Sequence, residues 1–345
     1  MNAPAPHPSA LDSATLAATL KAAGDALRVD ILRSLARDTF SVAELCTMFD
    51  ARQSTLSHHL KVLATAGLVE PQREGNTIFY RRPPLLDEAP LTQIREHIYA
   101  MVDALPPSPA LQQAITRIRQ FRAQQSQVFF ARYGGHLQAH QELIADYDLY
   151  AEPTAALLDQ LVTPAHTTAL EIGPGEGQFL SELSRRFERV IALDTSTEML
   201  EKCAEWIKRE QLANVTLEAG DTQHALRQGF KADVIVMNMV LHHVPSPQDM
   251  LADCARLLNP GGLLIICDLC RHQQVWAREA CGDLWLGFDA EDLSRWAEDA
   301  GLETGETLLI GVRNGFQIQV QHFTCPTDTA SADNTTHRSS TASSM

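Results

Sequence analysis

The strongest constraint on the fold is an alternation of short apolar segments with amphipathic segments, which starts at Thr168. The apolar segments have the length and composition of strands, and the amphipathic ones have helical spacing. In chain order the segments cover 168–172, 178–187, 190–193, 197–211, 215–218, 234–239, 247–258 and 262–268. Strands that alternate with helices form a parallel sheet with crossover helices. The second half of the chain is therefore predicted to be an α/β domain.

A glycine-rich turn follows the first of these strands and has the pattern ExGxGxG, from Glu171 to Gly177. Its glycines, Gly173, Gly175 and Gly177, let the backbone approach a ligand closely. Dinucleotide sites use a similar loop with GxGxxG spacing. The acidic residue at the start fits a ligand with a positively charged amino group rather than a pyrophosphate. A dinucleotide site stays open as the alternative at this point.

Acidic residues also follow the next two strands. Asp194 comes where a carboxylate can accept hydrogen bonds from two ribose hydroxyls. Thr195 and Met199 come next, and Met199 is placed to pack on an adenine face. Asp221, with Thr222 beside it, ends the third strand and can accept a hydrogen bond from an adenine amino group. The pattern predicts a nucleoside-containing ligand.

A fourth strand opens into a loop at Asn238, and a fifth is entered through a Pro-Gly-Gly turn at 260–262. These five features, in this order, resemble the class I S-adenosylmethionine-dependent methyltransferases, near the methyltransferase type 11 group that includes the UbiE-like enzymes. The resemblance covers about 145–325 and implies a Rossmann-like domain. The alternative is an α/β domain that binds no ligand.

The resemblance implies a role for each motif residue. The cofactor would be S-adenosylmethionine, with S-adenosylhomocysteine as product or effector. The implied cofactor-binding residues are Glu171, Gly173, Gly175 and Gly177 at the methionine part, Asp194, Thr195 and Met199 at the ribose and adenine, Asp221 and Thr222 at the adenine, and Asn238 near the sulfonium.

Two adjacent histidines, His242 and His243, are the candidates for proton transfer, with core packing as the alternative. A methyl sulfonium is already activated, so its transfer needs chiefly an in-line nucleophile and a water-poor pocket. A base is therefore not required. Asp283, Trp285 and Phe288 are candidates for the acceptor side, and core packing is an equal alternative for the two aromatic residues.

The N-terminal part has the order helix, turn, helix and two strands. Ser41 begins one helix with Glu44 at capping-box spacing, and a third helix follows from Ser54. A tight turn at 73–76 separates two short strands, which form a wing. This order resembles the ArsR-type winged helix family over about 14–105.

The third helix carries short polar side chains that suit a major groove, and the wing carries arginines that suit phosphates. The resemblance implies a homodimer that binds a double-stranded DNA operator, usually as a repressor. A winged helix used only for protein contacts is the alternative. The predicted DNA-contacting residues are Gln53, Ser54, Thr55, Ser57, His58 and Lys61 on the helix and Arg73, Arg81 and Arg82 on the wing.

A net charge of −15 would by itself argue against nucleic-acid binding. Residues 1–85, however, hold nine Lys/Arg and eight Asp/Glu, whereas the remainder holds nineteen and thirty-five. The acidity belongs to the C-terminal part, so it does not count against a DNA-binding N-terminal domain.

No metal site is predicted. Cys46 is alone on the helix where metal-sensing relatives place several cysteines, and His58 and His59 point about 100° apart on their helix. Cys267 and Cys270 form a CxxC pair without a second pair at metal spacing. The seven cysteines are expected to be free thiols, and an arsenic- or metal-linked regulator is a weaker alternative.

The chain is predicted to be multidomain, with a helical linker between the two domains. No apolar run reaches about 18 residues and no secretory signal is visible, which predicts a cytoplasmic protein without membrane contact. The predicted ranges are 1–12 disordered, 13–105 winged helix and dimerisation, 106–144 linker, 145–325 methyltransferase domain and 326–345 disordered tail.

The sequence thus predicts a DNA-binding transcriptional regulator, a repressor, with a domain that binds S-adenosylmethionine or S-adenosylhomocysteine as substrate or effector. The alternative is an active small-molecule methyltransferase in which the winged helix is a regulatory or protein-contact module. The methyl acceptor is not identified by any motif.

Overall fold

The computed structural model describes residues 11–85, 89–133, 143–312 and 315–327. The predicted disordered segments, 1–12 and 326–345, lie outside this description except for two residues of each. Within the described ranges, no helix combines the length and apolar character that crossing a bilayer requires.

The N-terminal domain packs helices around a leucine-rich core and carries a small antiparallel sheet of order β1-β3-β2. Its elements are α1 (Ser13–Ala23), α2 (Ala26–Ser34), β1 (Phe40–Ser41), α3 (Val42–Phe49), α4 (Gln53–Thr65), β2 (Glu70–Glu74), β3 (Thr77–Arg81) and α5 (Pro90–Ala104). The pair β2–β3 is the wing.

Local chemistry fixes the ends of α3. The Ser41 hydroxyl accepts from the Glu44 backbone N–H, and the Glu44 carboxylate accepts from the Ser41 N–H at 2.7 Å. This confirms the predicted capping box, which satisfies two backbone donors that a helix start leaves free. Asp50, in the left-handed region at φ 46°, ends the helix. The turn that follows leads directly into α4.

A long helix, α6 (Pro109–Tyr133), leads from the N-terminal domain to the C-terminal one. The C-terminal elements are α7 (Tyr147–Leu161), β4 (Thr168–Ile172), α8 (Leu180–Ser184), β5 (Arg189–Asp194), α9 (Thr197–Glu210), β6 (Val215–Ala219), α10 (Thr222–Arg227), β7 (Ala232–Asn238), α11 (Pro247–Leu257), β8 (Leu258–Leu269), α12 (Trp276–Ala280), α13 (Ala290–Asp299), β9 (Glu303–Gly311) and β10 (Gln317–Thr324).

The seven-stranded sheet has the order β6-β5-β4-β7-β8-β10-β9. Strands β4 to β8 are parallel, as the alternation predicts, and apolar residues cover both faces. The sequence pattern did not predict strands β9 and β10. They form an antiparallel hairpin, in which β10 pairs with β8. Because β5 and β7 both flank β4, the strand order reverses there, and a crevice opens at the carboxyl ends of these strands.

One buried arginine of α6 contacts both domains. Arg122 donates to both oxygens of Glu44 in α3, at 2.7 and 2.8 Å, and to the Thr39 carbonyl at 2.8 Å. On its other side it donates to the Pro245 carbonyl at 3.0 Å and lies over the Trp285 ring. Such bidentate, stacked contacts are specific to the planar guanidinium.

The wing also packs against the C-terminal domain. Glu74 is buried and pairs with Arg271, which precedes α12, and with Arg278, which lies within α12. Phe79 packs on Trp285, with ring centroids 5.6 Å apart. The domain interface therefore contains the wing itself, in addition to α6.

Candidate functional site

A cavity of about 330 Å³ lies at the carboxyl ends of β4, β5 and β7, where the strand order reverses. Helix α6 forms part of its wall through Ala123, Ser126, Gln127 and Phe130. The sequence-predicted residues on its lining are Glu171, Gly173, Gly175, Asp194, Thr195, Met199, Asp221, Thr222, Asn238 and His243.

The glycine-rich turn reaches the cavity through two of its three glycines. Gly173 and Gly175 have φ of +66° and +58°, a region that side chains disfavour. A Cβ on Gly175 would meet none of the described protein atoms within 4 Å, so this backbone faces free space in the cavity. Gly177 was predicted to bind cofactor, but it is not on the cavity lining. It allows close packing on α9, where its Cβ would lie 3.2 Å from the Cys203 Cα.

Glu171 brings an unsatisfied carboxylate to the floor of the cavity. Its side chain is buried, and its Oε2 has no hydrogen-bond partner among the described residues. Burial raises the pKa of Glu171 to about 8, and the nearby Asn238 amide offsets only part of that rise. The amide atoms of Asn238 also lack partners in the described part of the chain. Unpaired buried polar groups are costly, so this pair is arranged for a ligand.

The other two carboxylates lie farther along the cavity. Asp194 accepts from the Ser196 N–H at 2.8 Å, and burial raises its pKa to about 6. Asp221 caps α10 by accepting from the His224 N–H at 2.7 Å. The Thr222 hydroxyl donates to Asp253 at 2.7 Å, so this hydroxyl proton is used inside the protein.

The structure separates the two adjacent histidines. His243 lines the cavity, with its Nδ1 3.2 Å from the Gly282 carbonyl. Burial, and then the charge of His242, lower the pKa of His243 well below its usual value. His242 does not line the cavity. Burial lowers its pKa, but the carboxylates of Asp268 and Asp283 outweigh burial and raise it to about 9.

The aromatic candidates for the acceptor side belong to the core. Trp285 and Phe288 are buried and lie in the cluster that covers one sheet face, and neither is on the cavity lining. Tyr147 and Tyr150, which no sequence motif indicated, do line the cavity. Burial raises the pKa of both tyrosines, so both are neutral donors.

The predicted DNA face of α4 is solvent-exposed even with the second domain docked. Arg73 on the wing is exposed. The six predicted helix residues are also exposed, and they are Gln53, Ser54, Thr55, Ser57, His58 and Lys61. The prediction for the other two arginines is corrected. Arg81 pairs with Glu70 and Asp292, and Arg82 donates to Asp103 at 2.8 Å, so neither is available to phosphates in this conformation.

Family comparison agrees with this two-part layout. The model of the bacterial regulatory proteins of the arsR family matches residues 25–70, and that of the methyltransferase domain matches residues 170–266. This chain joins an arsR-type regulator domain to a methyltransferase domain. The methyltransferase match indicates S-adenosylmethionine as the cofactor of this domain. The unpaired Glu171 carboxylate and the free space above Gly175 fit its positively charged amino-acid part.

Individual relatives resemble the methyltransferase domain. A ubiquinone biosynthesis O-methyltransferase of Coxiella burnetii is 25% identical over 158 residues, which is 42% of this chain and 67% of that protein. An uncharacterized 37.1 kDa protein in transposon TN4556 of Streptomyces fradiae is 30% identical over 131 residues, 37% of each chain. The structure of the N-methyltransferase NodS of Bradyrhizobium japonicum with S-adenosyl-L-homocysteine is 18% identical, has a TM-score of 0.43, and covers 55% of this chain and 97% of that one.

Replacing Gly175 with alanine should weaken S-adenosylmethionine binding at least tenfold, because the new Cβ would occupy the cavity. Gly229→Ala is a matched control: its φ is +73°, its Cβ also meets no described atom within 4 Å, and it lies off the cavity lining. Both variants should lose about 1–2 kcal/mol of folding stability. Calorimetric titration should separate them, and equal affinities would contradict the assignment of this cavity to the cofactor.

Proposed function

We propose that this protein is a DNA-binding transcriptional repressor whose methyltransferase domain binds S-adenosylmethionine, transfers its methyl group to a small molecule, and reports cavity occupancy to the DNA-binding domain. The observation that carries the proposal is Arg122. It binds Glu44 in α3, which packs against α4, and it binds the carbonyl of Pro245, which lines the cavity. A ligand that moves this loop would therefore act on the DNA-binding domain through the contacts of this side chain.

The exposed polar face of α4 supports the DNA-binding part. Its six side chains can donate to base edges or phosphates, and Leu56, Leu60 and Leu63 anchor the opposite face in the core. Two-fold operators are usual for such helices, so we propose a homodimer.

Different residues of the cavity would bind different parts of the cofactor. Bound S-adenosylmethionine would supply an electrophilic methyl group on a positively charged sulfur. Glu171 would pair with its ammonium, the backbone at Gly173 and Gly175 would accommodate the methionine part, and Asp194 would accept from the ribose hydroxyls. Asp221 would accept from the adenine amino group and Met199 would pack on the ring. Helix α6 and the two tyrosines would cover the cavity and limit the entry of water, which favours transfer to a positioned acceptor.

A second candidate is a methyltransferase in which the winged helix serves only protein contacts. The docked wing favours it, because Glu74, Phe79 and Arg81 contact the methyltransferase domain rather than solvent. The two candidates differ in whether the protein binds DNA.

The Lys61→Ala variant tests this difference. Duplex DNA would be selected from a random library with the full-length protein, and affinity measured by fluorescence anisotropy at several salt concentrations. If Lys61 contacts a phosphate, its loss should weaken binding and lower the salt dependence by about one counterion. Lys208→Ala, an exposed lysine of the methyltransferase domain, is the charge-matched control. Failure to enrich any duplex, or equal behaviour of both variants, would favour the second candidate.

Cofactor binding should release a proton. With a pKa of about 8, Glu171 is largely protonated in the free protein at pH 7, and a bound ammonium favours the carboxylate. Close to one proton should therefore leave on binding at pH 7, fewer above pH 8, and affinity should rise with pH up to that point. Calorimetry in buffers of different ionisation enthalpy measures this release. It should disappear in Glu171→Gln, and a buffer-independent enthalpy in the wild type would contradict the role of Glu171.

A further inference from the structure

A cluster of three buried side chains adjoins the cavity at His243. One ring nitrogen each from His242 and His243 and one carboxylate oxygen from Asp283 lie within 4.8 Å of one another. The three residues expose only 2%, 9% and 4% of their surface. His243 is the member that reaches the cavity lining.

Both imidazoles are held through the same ring atom. The Nδ1 of His242 lies 2.8 Å from a carboxylate oxygen of Asp268, and the Nδ1 of His243 lies 3.2 Å from the Gly282 carbonyl. Each contact requires a proton on Nδ1, so a neutral ring carries its lone pair on Nε2. Metal-binding histidines are oriented in this way, with the second nitrogen donating to a carboxylate or a backbone carbonyl. Asp268 is itself fixed, since it also accepts from the Leu241 N–H at 2.8 Å.

The carboxylate of Asp283 is buried beside His242. Neither of its oxygens has a hydrogen-bond partner among the described residues, and the nearest charged contact is the Nε2 of His242 at 3.8 Å. A buried, ionised carboxylate is stable only when it is paired or coordinates a metal. The open oxygens of Asp283 therefore lie beside a ring nitrogen of each of the two imidazoles.

We propose that His242, His243 and Asp283 bind one divalent transition-metal ion of the Zn²⁺ class. Two imidazole nitrogens and one carboxylate are a common donor set for such ions, and three protein ligands leave a coordination position open. Because His243 lines the cavity, the open position would lie toward the methyl acceptor, where an acceptor oxygen or thiolate could bind. The competing arrangement is a protonated His242 shared by Asp268 and Asp283, with no ion. This proposal does not depend on DNA binding or on methyl transfer.

Direct metal binding by the full-length, tag-free protein tests the proposal. Protein stripped with a chelator would be titrated with Zn²⁺ by calorimetry and with Co²⁺ by visible absorption, in the absence of cofactor and DNA. We expect one ion per chain and a Co²⁺ spectrum without thiolate bands. Asp283→Asn and His243→Gln should each weaken binding at least tenfold, and Asp268→Asn should weaken it about 10–100-fold through the orientation of His242.

Two controls exclude other sites, and the thermal unfolding of every variant would be compared with that of the wild type. His224→Gln removes a histidine of α10 that pairs with Glu218, and Cys270→Ser removes the partly exposed cysteine of the CxxC pair. Both should bind as the wild type does. Absence of stoichiometric binding by the wild type would overturn the proposal without any variant. Undiminished binding by both Asp283→Asn and His243→Gln, or loss in Cys270→Ser, would also overturn it.

Discussion

The contacts of Arg122 determine how the rest of the molecule is organised. A buried guanidinium needs partners for its donors, and here Glu44, Thr39 and Pro245 supply them from two domains. Removing one partner of such a buried pair typically costs about 3–5 kcal/mol. Because losing these contacts is costly, Arg122 fixes α6 against both domains. Helix α6 in turn forms one wall of the cavity.

The cavity follows from topology, and its chemistry follows from burial. The reversal of strand order at β4 opens the crevice, and the ends of β4, β5 and β7 deliver Glu171, Asp194 and Asn238 into it. The same sheet buries Glu171 enough to raise the pKa of its carboxyl, which prepares it for a cationic ligand. The wing adds a second contact between the domains, because Glu74 pairs with Arg278. The charge of Arg278 also acts on Asp283.

Local signals in the sequence predicted the parallel strands, the capping box at Ser41 and the acidic and glycine residues at the strand ends that line the cavity, because strand periodicity, caps and glycine-rich turns are encoded by neighbouring residues. They did not predict that His242 and His243 face different surroundings, since side-chain direction in a short turn depends on tertiary contacts. For the same reason Arg81 was assigned to DNA, although its partner Asp292 lies in the other domain. The β9–β10 hairpin was missed because its pairing with β8 spans about fifty residues.

The central claim is that cavity occupancy and DNA affinity are coupled through Arg122. The most direct test measures the Kd for selected duplex DNA with and without saturating S-adenosylmethionine or S-adenosylhomocysteine, for the wild type, Arg122→Lys and the exposed-arginine control Arg117→Lys. Coupling free energies of this kind usually change affinity about 5–150-fold. We expect such a change in the wild type and the control, and a much smaller one in Arg122→Lys, which cannot bridge the same partners. An unchanged Kd in the wild type, or an equal change in Arg122→Lys, would contradict the account.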